Sequence, residues 1–431
     1  MNICMVLDKH DYERSSRVRG EAHRLAGDGH RVVVVCDHAA GKDAHEIRQE
    51  AEIIRLPHGS RIVRFGYMVA DGVGLMFFLF KLRWFLALAR LHRAKGFNAF
   101  HVHDIPTART VLVLARLIRR PVILDLHENY PVLMRSFLPD DPSVAENGGG
   151  RLALWVRSYV RDVKRKLNEL TLDPERWARY ERRAVSAADH VIVVIEEARD
   201  RVAGLGALRD RITIVSNTLS DEFVSRTSSL REDPEIASTY SQRFVIPYFG
   251  SLPRFVRIDT LIRAMPDILE HVPDAHLIIV GEIERRLPAL RGLVHEMDLG
   301  EQVTFESWQP VERFLTYLSM SDVGIFPWEP NGHTNATITW KLFQYMYMQL
   351  PVISSECAPL ERIISECRCG LVVPGLATDP AKLARAVVRL ARDPAERLEL
   401  GKRGREAVLS RYRWATDLDR LSSLYEQLAS G

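Results

Sequence analysis

The chain has 431 residues, of which 46% are hydrophobic, and its formal net charge at pH 7 is only +3. This length exceeds what one compact core usually holds, so we expect two domains. Its five scattered cysteines exclude the disulfide framework of a small secreted protein, and we expect a cytoplasmic protein.

Short β-branched runs alternate with helical stretches along the chain, a pattern typical of parallel α/β sheets. The first series of predicted strands covers residues 2–7, 31–36, 52–57, 99–104, 121–128, 190–195 and 212–217. The second series covers residues 244–251, 275–282, 303–308, 323–328, 351–356 and 370–374. The same sheet architecture is therefore predicted twice.

The polar segment 220–242 follows the first series and lacks apolar periodicity, so we interpret it as the linker between two domains. An amphipathic helix is predicted over residues 414–428, beyond the second series. The start of the chain has no secretory-signal pattern, and the most apolar stretch, 73–80, is far shorter than the roughly 20 residues of a spanning helix. We expect no transmembrane segment.

Titratable residues directly follow two apolar runs of the first series. These residues are His103 and Asp104 after one run, and His127 and Glu128 after the other. Ligands of open α/β sheets bind beyond the carboxyl ends of the strands, where an imidazole can hydrogen-bond a hydroxyl group and a carboxylate can accept a proton. His127, Asp104 and Glu128 are therefore candidate catalytic residues, and the alternative is that some of them only hold loops together.

Small polar residues precede a predicted helix in the second half. Thr334 and Asn335 could cap this helix, and its free backbone amides would then offer a diphosphate site. Lys341 and Gln344 lie three residues apart on one face of the helix. The alternative is an ordinary capped helix with a solvated lysine.

A strand of the second half runs into Gly250 and Ser251 and is followed by Arg254 and Arg257. Arginine is well suited to phosphate, but the spacing matches neither a dinucleotide fingerprint nor a Walker A loop. Asp417-Leu-Asp419 is the one D-x-D pair in the sequence. Residues two apart on a helix face different ways, so no metal site is predicted.

Residues 55–120 hold 12 Lys and Arg against 2 Asp and Glu. Within this region, residues 73–95 place leucines, phenylalanines and a tryptophan beside Lys81, Arg83 and Arg90. Such a segment could lie in the interface of an anionic membrane, which predicts peripheral attachment to its inner face. The alternative is a buried helix whose aromatic side chains belong to the core.

In their order along the chain, these motifs resemble the retaining glycosyltransferases of family four. The matching stretches are residues 17–18, 21–32, 103–104, 127–128, 180–181, 188–193 and 214–217 in the first half, and 250–262, 277–281, 322–327 and 341–353 in the second. The resemblance implies the GT-B fold, in which two Rossmann-like parallel-sheet domains face an interdomain cleft. It assigns acceptor binding to residues 1–220, with 412–431 packing back onto them, and nucleotide-sugar binding to residues 221–411.

The chain departs from the family's donor-site pattern. The paired glutamates of the family, E-x7-E, fall on Ala336 and Gln344, and its usual arginine and lysine fall on Ser251 and Val256. Gln344 can still hydrogen-bond ribose hydroxyls, and the two arginines after Gly250 could replace the lost charge. The candidate donor-binding residues are Gly250, Ser251, Arg254, Arg257, Gly281, Asn335, Ala336, Thr337, Lys341 and Gln344.

The resemblance implies that a sugar passes, with retention of anomeric configuration, from a nucleotide-diphosphate sugar to a hydroxyl of a saccharide or a lipid-linked acceptor. Polysaccharide or glycoconjugate assembly is the expected setting, and we expect no metal, no other cofactor and no nucleic-acid partner. Two alternatives remain: a GT-B sugar-nucleotide epimerase, and a degenerate subunit that binds a sugar nucleotide without reacting.

Overall fold

The computed structural model describes residues 1–8, 12–37, 41–56, 79–136, 172–281 and 286–430. The chain divides into two compact units, one formed by Met1–Val215 with Leu418–Gly431 and the other by Ser216–Asp417. The sequence placed this division a few residues later, after residue 220.

The first unit is built on one sheet, which within the described ranges has eight strands. They are β1 (Asn2–Leu7), β2 (Arg31–Asp37), β3 (His45–Ile47), β4 (Glu52–Leu56), β5 (Ala99–His103), β6 (Val122–Leu126), β7 (His190–Val193) and β8 (Ile212–Ile214), in the order β3-β4-β2-β1-β5-β6-β7-β8. The central strands are parallel, and their register sets Leu7 opposite His103 and His103 opposite Asp125. The carboxyl ends of β1, β5 and β6 therefore lie side by side.

All seven predicted strands of the first series are present, because a strand buried on both faces is a nearly continuous apolar run. The short antiparallel edge strand β3 was missed. Its side chains are largely exposed, so it carries no such run.

The helices of the first unit follow its strands. They are α1 (Ser16–Gly27), α2 (Leu82–Lys95), α3 (Ala108–Ile118), α4 (Tyr130–Ser136), α5 (Pro174–Ala187) and α6 (Glu196–Gly204). Ser15 caps α1 by accepting a hydrogen bond from the backbone N–H of Val18. The buried face of α1 carries Arg17 and Glu21 among apolar residues, so two charged side chains enter the interior of the unit.

The second unit contains two sets of three parallel strands. The sets are β9 (Phe244–Phe249), β10 (Ala275–Val280) and β11 (Val303–Glu306), and β12 (Gly324–Phe326), β13 (Val352–Ser354) and β14 (Gly370–Val372). The backbone N–H of Val245 in β9 donates to Asp322 Oδ2 at 2.8 Å. This bond joins the first set to the segment that leads into β12. All six strands predicted for the second half are observed.

The helices of the second unit pack beside these strands. They are α7 (Asp221–Ser228), α8 (Pro234–Tyr240), α9 (Ile258–His271), α10 (Leu287–Glu296), α11 (Val311–Ser319), α12 (Trp340–Tyr347), α13 (Ala358–Cys367), α14 (Pro380–Arg392) and α15 (Pro394–Arg411). The last helix of the chain, α16 (Trp414–Ser430), follows them.

The interpretation of residues 220–242 as a linker is wrong, because α7 and α8 occupy most of this segment. Ser220 caps α7 by accepting from Phe223 N–H, and Asp233 caps α8. Ile236 and Tyr240 are buried and anchor α8. Both helices are too short to show a clear apolar period in the sequence.

Most of α16 belongs to the first unit. Asp419 forms an ion pair with Arg24 of α1 at 2.7 Å, and the Tyr425 hydroxyl lies 3.0 Å from His101 Nδ1 in β5. No helix in the described part of the chain is both long and apolar enough to cross a membrane.

Candidate functional site

The carboxylate of Asp125, at the end of β6, is the centre of a buried polar cluster in the first unit. Arg17 of α1 donates to it through both Nε and Nη2, each at 3.0 Å. His127 Nε2 and His103 Nδ1 lie 3.0 and 3.2 Å from Asp125 Oδ2. Burial alone would raise the pKa of Asp125, but the charges of Arg17 and His127 and the hydrogen bonds from the imidazoles hold this pKa well below its usual range.

His127 lies between two carboxylates at the carboxyl edge of the sheet. Its backbone N–H donates to Asp104 Oδ1 at 3.2 Å, and its Nδ1 lies 3.7 Å from Asp104 Oδ2. Asp104 adopts a positive φ of 61°, which aspartate tolerates better than most residues. Burial would lower the pKa of His127, but the charges of Asp125 and Asp104 outweigh it and raise this pKa to about 9. The imidazole is therefore protonated at neutral pH.

Glu128, the third candidate catalytic residue, is half-buried beside His127. Burial raises the pKa of the nearby Tyr130, and the charges of Asp104, Asp8 and Glu128 raise it further. The edge that holds His127 is thus lined by several carboxylates.

Two further histidine and glutamate side chains complete the interior of the cluster. The rings of His101 and His103 stack with their centroids 4.5 Å apart, and Glu21 is completely buried beside them. Glu21, His101, His103 and Asp125 offer ligand-type atoms within 4.8 Å of one another. However, the Arg17 Nε lies 3.0 Å from a carboxylate oxygen of both Glu21 and Asp125. A fixed positive charge there opposes a divalent cation, so we interpret the cluster as an ion-pair and hydrogen-bond network.

Sequence reasoning had singled out His127 and Asp104, which the structure brings together, but not Arg17 or Glu21 as site residues. The signal available for these two was an Arg and a Glu at i and i+4 on the apolar face of an amphipathic helix.

Two glycines end adjacent strands of the second unit. Gly250 after β9 and Gly281 after β10 adopt φ angles of 116° and 146°, which L side chains rarely adopt. A Cβ on Gly281 would lie 2.4 Å from the carbonyl oxygen of Gly250. The two backbones can therefore approach this closely only because Gly281 has no side chain.

Lys341 of α12 reaches the same strand end. Its Nζ donates to the carbonyl oxygen of Phe249 at 2.6 Å and lies 5.0 Å from the centre of the Tyr248 ring. Burial lowers the pKa of Lys341 to about 8. The structure thus places a partly desolvated ammonium group directly beside Gly250.

The two arginines after Gly250 differ in their surroundings. Arg257 forms an ion pair with Asp259 at 2.9 Å and lies 3.8 Å from Glu329, so its charge is largely balanced. Arg254 is exposed on the same loop, as is Ser251. Arg286, which the sequence analysis did not single out, also pairs with Asp259 at 3.3 Å.

The predicted capping of the candidate diphosphate helix is wrong. Helix α12 begins at Trp340, and Thr339 caps it. Thr334 instead donates to the carbonyl oxygen of Glu329 at 3.0 Å, and Asn335 Oδ1 accepts from the first N–H of α13, that of Ala358, at 2.9 Å. Threonine and asparagine side chains can hydrogen-bond nearby backbone groups that would otherwise take part in a helix, so the helix begins later in the sequence.

The remaining donor-site candidates have neutral side chains. Among them, Ala336 is buried. Val256, which is not a candidate but stands where the family has its usual lysine, is also buried and pairs with Trp328 in an antiparallel bridge. Thr337 and Gln344 are half-buried, and Gln344 shares its face of α12 with Lys341.

The predicted membrane segment lies partly outside the described residues, which omit 73–78. The proposed lipid contacts of Lys81 and Arg83 are wrong, because these cations form ion pairs with Asp8 at 2.6 Å and Asp37 at 2.7 Å. Their side chains are only 10% and 12% exposed. Trp84 and Leu88 are core residues, as the alternative held.

The opposite face of α2 is different. Leu82 and Leu86 are 54% and 59% exposed, and Arg90 follows them on the same face. Helix α3 packs against α2 and exposes Leu117 beside Arg116. Neither helix contains an acidic residue.

Comparisons with known proteins agree with this architecture. Residues 15–218 match the family model of the glycosyl transferase 4-like domain, and residues 243–393 match that of glycosyl transferases group 1. A GDP-mannose-dependent alpha-(1-6)-phosphatidylinositol monomannoside mannosyltransferase of Mycolicibacterium smegmatis is 26% identical over 253 residues, which cover 53% of this chain. The aligned part spans only 65% of that relative's length.

Two solved structures share the fold. Sucrose-phosphate synthase from Thermosynechococcus elongatus superposes with a TM-score of 0.74 at 19% identity and covers 100% of this chain and 99% of its own. HepE of Anabaena, in complex with UDP and glucose, superposes with a TM-score of 0.67 at 12% identity, covering 99% of this chain and 100% of its own.

Proposed function

Since this chain belongs to the glycosyl transferases group 1 and has the GT-B fold, we propose that it is a retaining glycosyltransferase. It would move a sugar from a nucleotide-diphosphate sugar to an acceptor hydroxyl in polysaccharide or glycoconjugate assembly. The observation that carries the proposal is the contact between Lys341 and the backbone at Gly250. This contact sets a cation at the carboxyl end of a parallel strand, where ligands of such sheets bind.

Negative charge grows on the diphosphate as the sugar leaves it. An ammonium group with three donors, of which Phe249 O accepts one, can stabilise that charge without a metal ion. The exposed Arg254 lies on the adjoining loop, and Gln344 on the Lys341 face of α12 could bind ribose. Nucleotide binding is thus assigned to the second unit.

The acceptor half of the reaction is assigned to the first unit. A protonated His127 can donate a hydrogen bond to a sugar hydroxyl, and Asp104 and Glu128 can accept one. These three residues stay the candidates for chemistry on the acceptor side.

A second candidate is a subunit that binds a sugar nucleotide without transferring the sugar. The observation in its favour is that Ala336 and Val256 are buried apolar residues at positions where the family carries charge. An epimerase is the third reading, and it would release a free sugar nucleotide rather than a glycoside.

One experiment separates these functions. A thermal-shift panel of GDP, UDP, ADP and dTDP should give one clear stabilising nucleotide, since a ligand of the native state raises its melting temperature. The matching nucleotide sugars are then incubated with acceptors, and the products are analysed by NMR for their anomeric configuration. A glycoside product with the anomeric configuration of the donor supports the transferase. Nucleotide binding without any change of the donor indicates the inactive subunit. A free sugar nucleotide with one inverted ring carbon indicates the epimerase.

We further propose that the acceptor is lipid-linked and reached at an anionic membrane, with a soluble saccharide as the alternative. The mycobacterial relative is named for a phosphatidylinositol monomannoside substrate. Helices α2 and α3 pack together, and their exposed residues Leu82, Leu86, Arg90, Arg116 and Leu117, here called the α2–α3 face, include both apolar and cationic side chains. Such a surface suits the headgroup region of anionic lipids.

A further inference from the structure

Asp125 is held in place by several partners at once. Its carboxylate is completely buried and receives both arms of the Arg17 guanidinium at 3.0 Å. Arg17 is itself fixed, because its Nη1 donates to the carbonyl oxygen of Val215 at 2.8 Å. A bidentate arginine leaves a carboxylate little freedom to rotate.

The same carboxylate determines how the ring of His127 is oriented. Asp125 Oδ2 lies 3.0 Å from His127 Nε2, so the Nε2 edge of the ring faces the interior of the unit. The Nδ1 edge then faces Asp104, which is one-third exposed. The Nδ1–H thus points toward the open edge of the sheet, where the Asp104 carboxylate lies beside it.

We propose that Asp125, clamped by Arg17, is the positioning residue that keeps the His127 imidazole charged and its Nδ1–H directed at the acceptor hydroxyl. This inference rests on the proposed transferase function. A half-turn of the ring about its Cβ–Cγ bond would put the carbons Cδ2 and Cε1 at the positions of Nδ1 and Nε2, so the N–H donor toward the hydroxyl and the contact of Nε2 with Asp125 would both be lost.

The charges around His127 support this role. Asp125 on β6 and Asp104 after β5 favour the imidazolium, whereas Arg17 on α1 and burial oppose it. His103 on β5 does not compete for the charge, because burial lowers its pKa to about 3. Burial raises the pKa of Glu21 on α1, which Arg17 counteracts. Asp125 is therefore the nearest carboxylate that holds His127 in its charged form.

The test is the titration of His127 by NMR in the full-length protein with labelled histidine, its signal being assigned by its loss in His127→Gln. In Asp125→Asn the pKa of His127 should fall from about 9 toward its ordinary value of 6.5. If turnover follows the imidazolium, it should then drop about thirtyfold at pH 8 and change less than about twofold at pH 6. The KM for the donor should stay the same.

The control is Tyr425→Phe, which removes a buried hydroxyl from the His101 side of the same cluster without touching Asp125. It should leave the pKa of His127 near 9. A pKa that stays at about 9 in Asp125→Asn, or a turnover lost equally at both pH values, would overturn the proposal.

A variant that does not fold and a protein that transfers no sugar can both be told apart from a failure of the positioning role. If Asp125→Asn fails to fold by circular dichroism, the wild-type titration decides: a His127 pKa at or below 6.5 overturns the role, and one near 9 supports it. The pKa of His127 can be measured whether or not the protein transfers a sugar. If no sugar is transferred, the proposed function is contradicted, but the titration still tests the positioning role of Asp125.

Discussion

A Cβ atom on Gly250 would lie 2.8 Å from Nζ of Lys341, closer than any stable contact allows. A side chain at position 250 would therefore force the Lys341 ammonium group, which is far away in sequence, to move from its place at the end of β9. The φ of 116° at Gly250 independently disfavours any residue with a side chain.

Replacing Gly250 with Ala should displace Lys341 and strain a backbone whose φ is 116°. We expect a loss of about 1–3 kcal/mol in the free energy of unfolding together with weaker nucleotide binding, measured by urea unfolding and isothermal titration calorimetry. The control is Gly292→Ala in α10, where a Cβ meets nothing within 4 Å. Equal stability of Gly250→Ala and Gly292→Ala would contradict the packing argument.

Replacing Lys341 with Met should weaken nucleoside-diphosphate binding roughly tenfold to a hundredfold, because a hydrogen bond to a charged group contributes about 1.5–3 kcal/mol. Lys382→Met is the matched control, since Lys382 also donates to a backbone carbonyl, at 2.8 Å. Similar affinity losses in both variants would argue against a diphosphate at Lys341.

The same lysine predicts a pH dependence. Diphosphate binding needs the ammonium form, so wild-type affinity should decline above pH 8, where Lys341 loses its proton, and Lys341→Met should lack this decline. The free energy of unfolding depends on pH in the opposite direction. Between the native Lys341 pKa of about 8 and the ordinary value of 10.5, the unfolded chain binds more protons than the native one. In that window Lys341 should make unfolding less favourable as pH rises.

Replacing His127 with Ala should reduce turnover by about 10²–10⁴ and leave nucleotide affinity nearly unchanged, because His127 and Lys341 lie in different compact units. Steady-state kinetics and calorimetry measure the two effects. The control is His45→Ala, at an exposed histidine of the same unit. Lost affinity with intact turnover would reverse the assignment of the two units.

The α2–α3 face should bind vesicles that contain anionic lipid and release them as salt rises. Each arginine contributes about 1 kcal/mol near such a surface, so Arg90→Gln with Arg116→Gln should weaken binding by more than tenfold, and Leu86→Asp should reduce it further. Co-sedimentation measures both, with Leu398→Asp, at an equally exposed leucine of the second unit, as the control. If the protein does not bind these vesicles at low salt, this result would favour a soluble acceptor.

Chelation should leave the activity intact. The proposed reaction uses Lys341 where other transferases use a metal, and Arg17 occupies the one cluster of metal-ligand types found in the described residues. Turnover after dialysis against EDTA should match that of the untreated protein. A loss that Mg²⁺ or Mn²⁺ restores would show that the leaving group needs a cation the chain does not supply.

The candidate site was only partly readable from the sequence. His127, Asp104, Gly250 and Lys341 stand at strand ends or helix starts, and these positions follow from local patterns. The start of α12 was misjudged, because Thr334 and Asn335 bind backbone groups outside the helix that they were expected to cap. The lipid role of Lys81 was misjudged because its partner, Asp8, is distant in sequence.

The sequence by itself determined that each unit is built on parallel strands, since strands buried on both faces must be apolar runs and their alternation with helices indicates parallel pairing. Only the tertiary structure decided which charges meet. Arg17 reaches Asp125 across 108 positions, and His101 reaches Tyr425 across 324. Such pairs depend on strand register and on the face that each helix buries, and neither is encoded in the residues next to them along the chain.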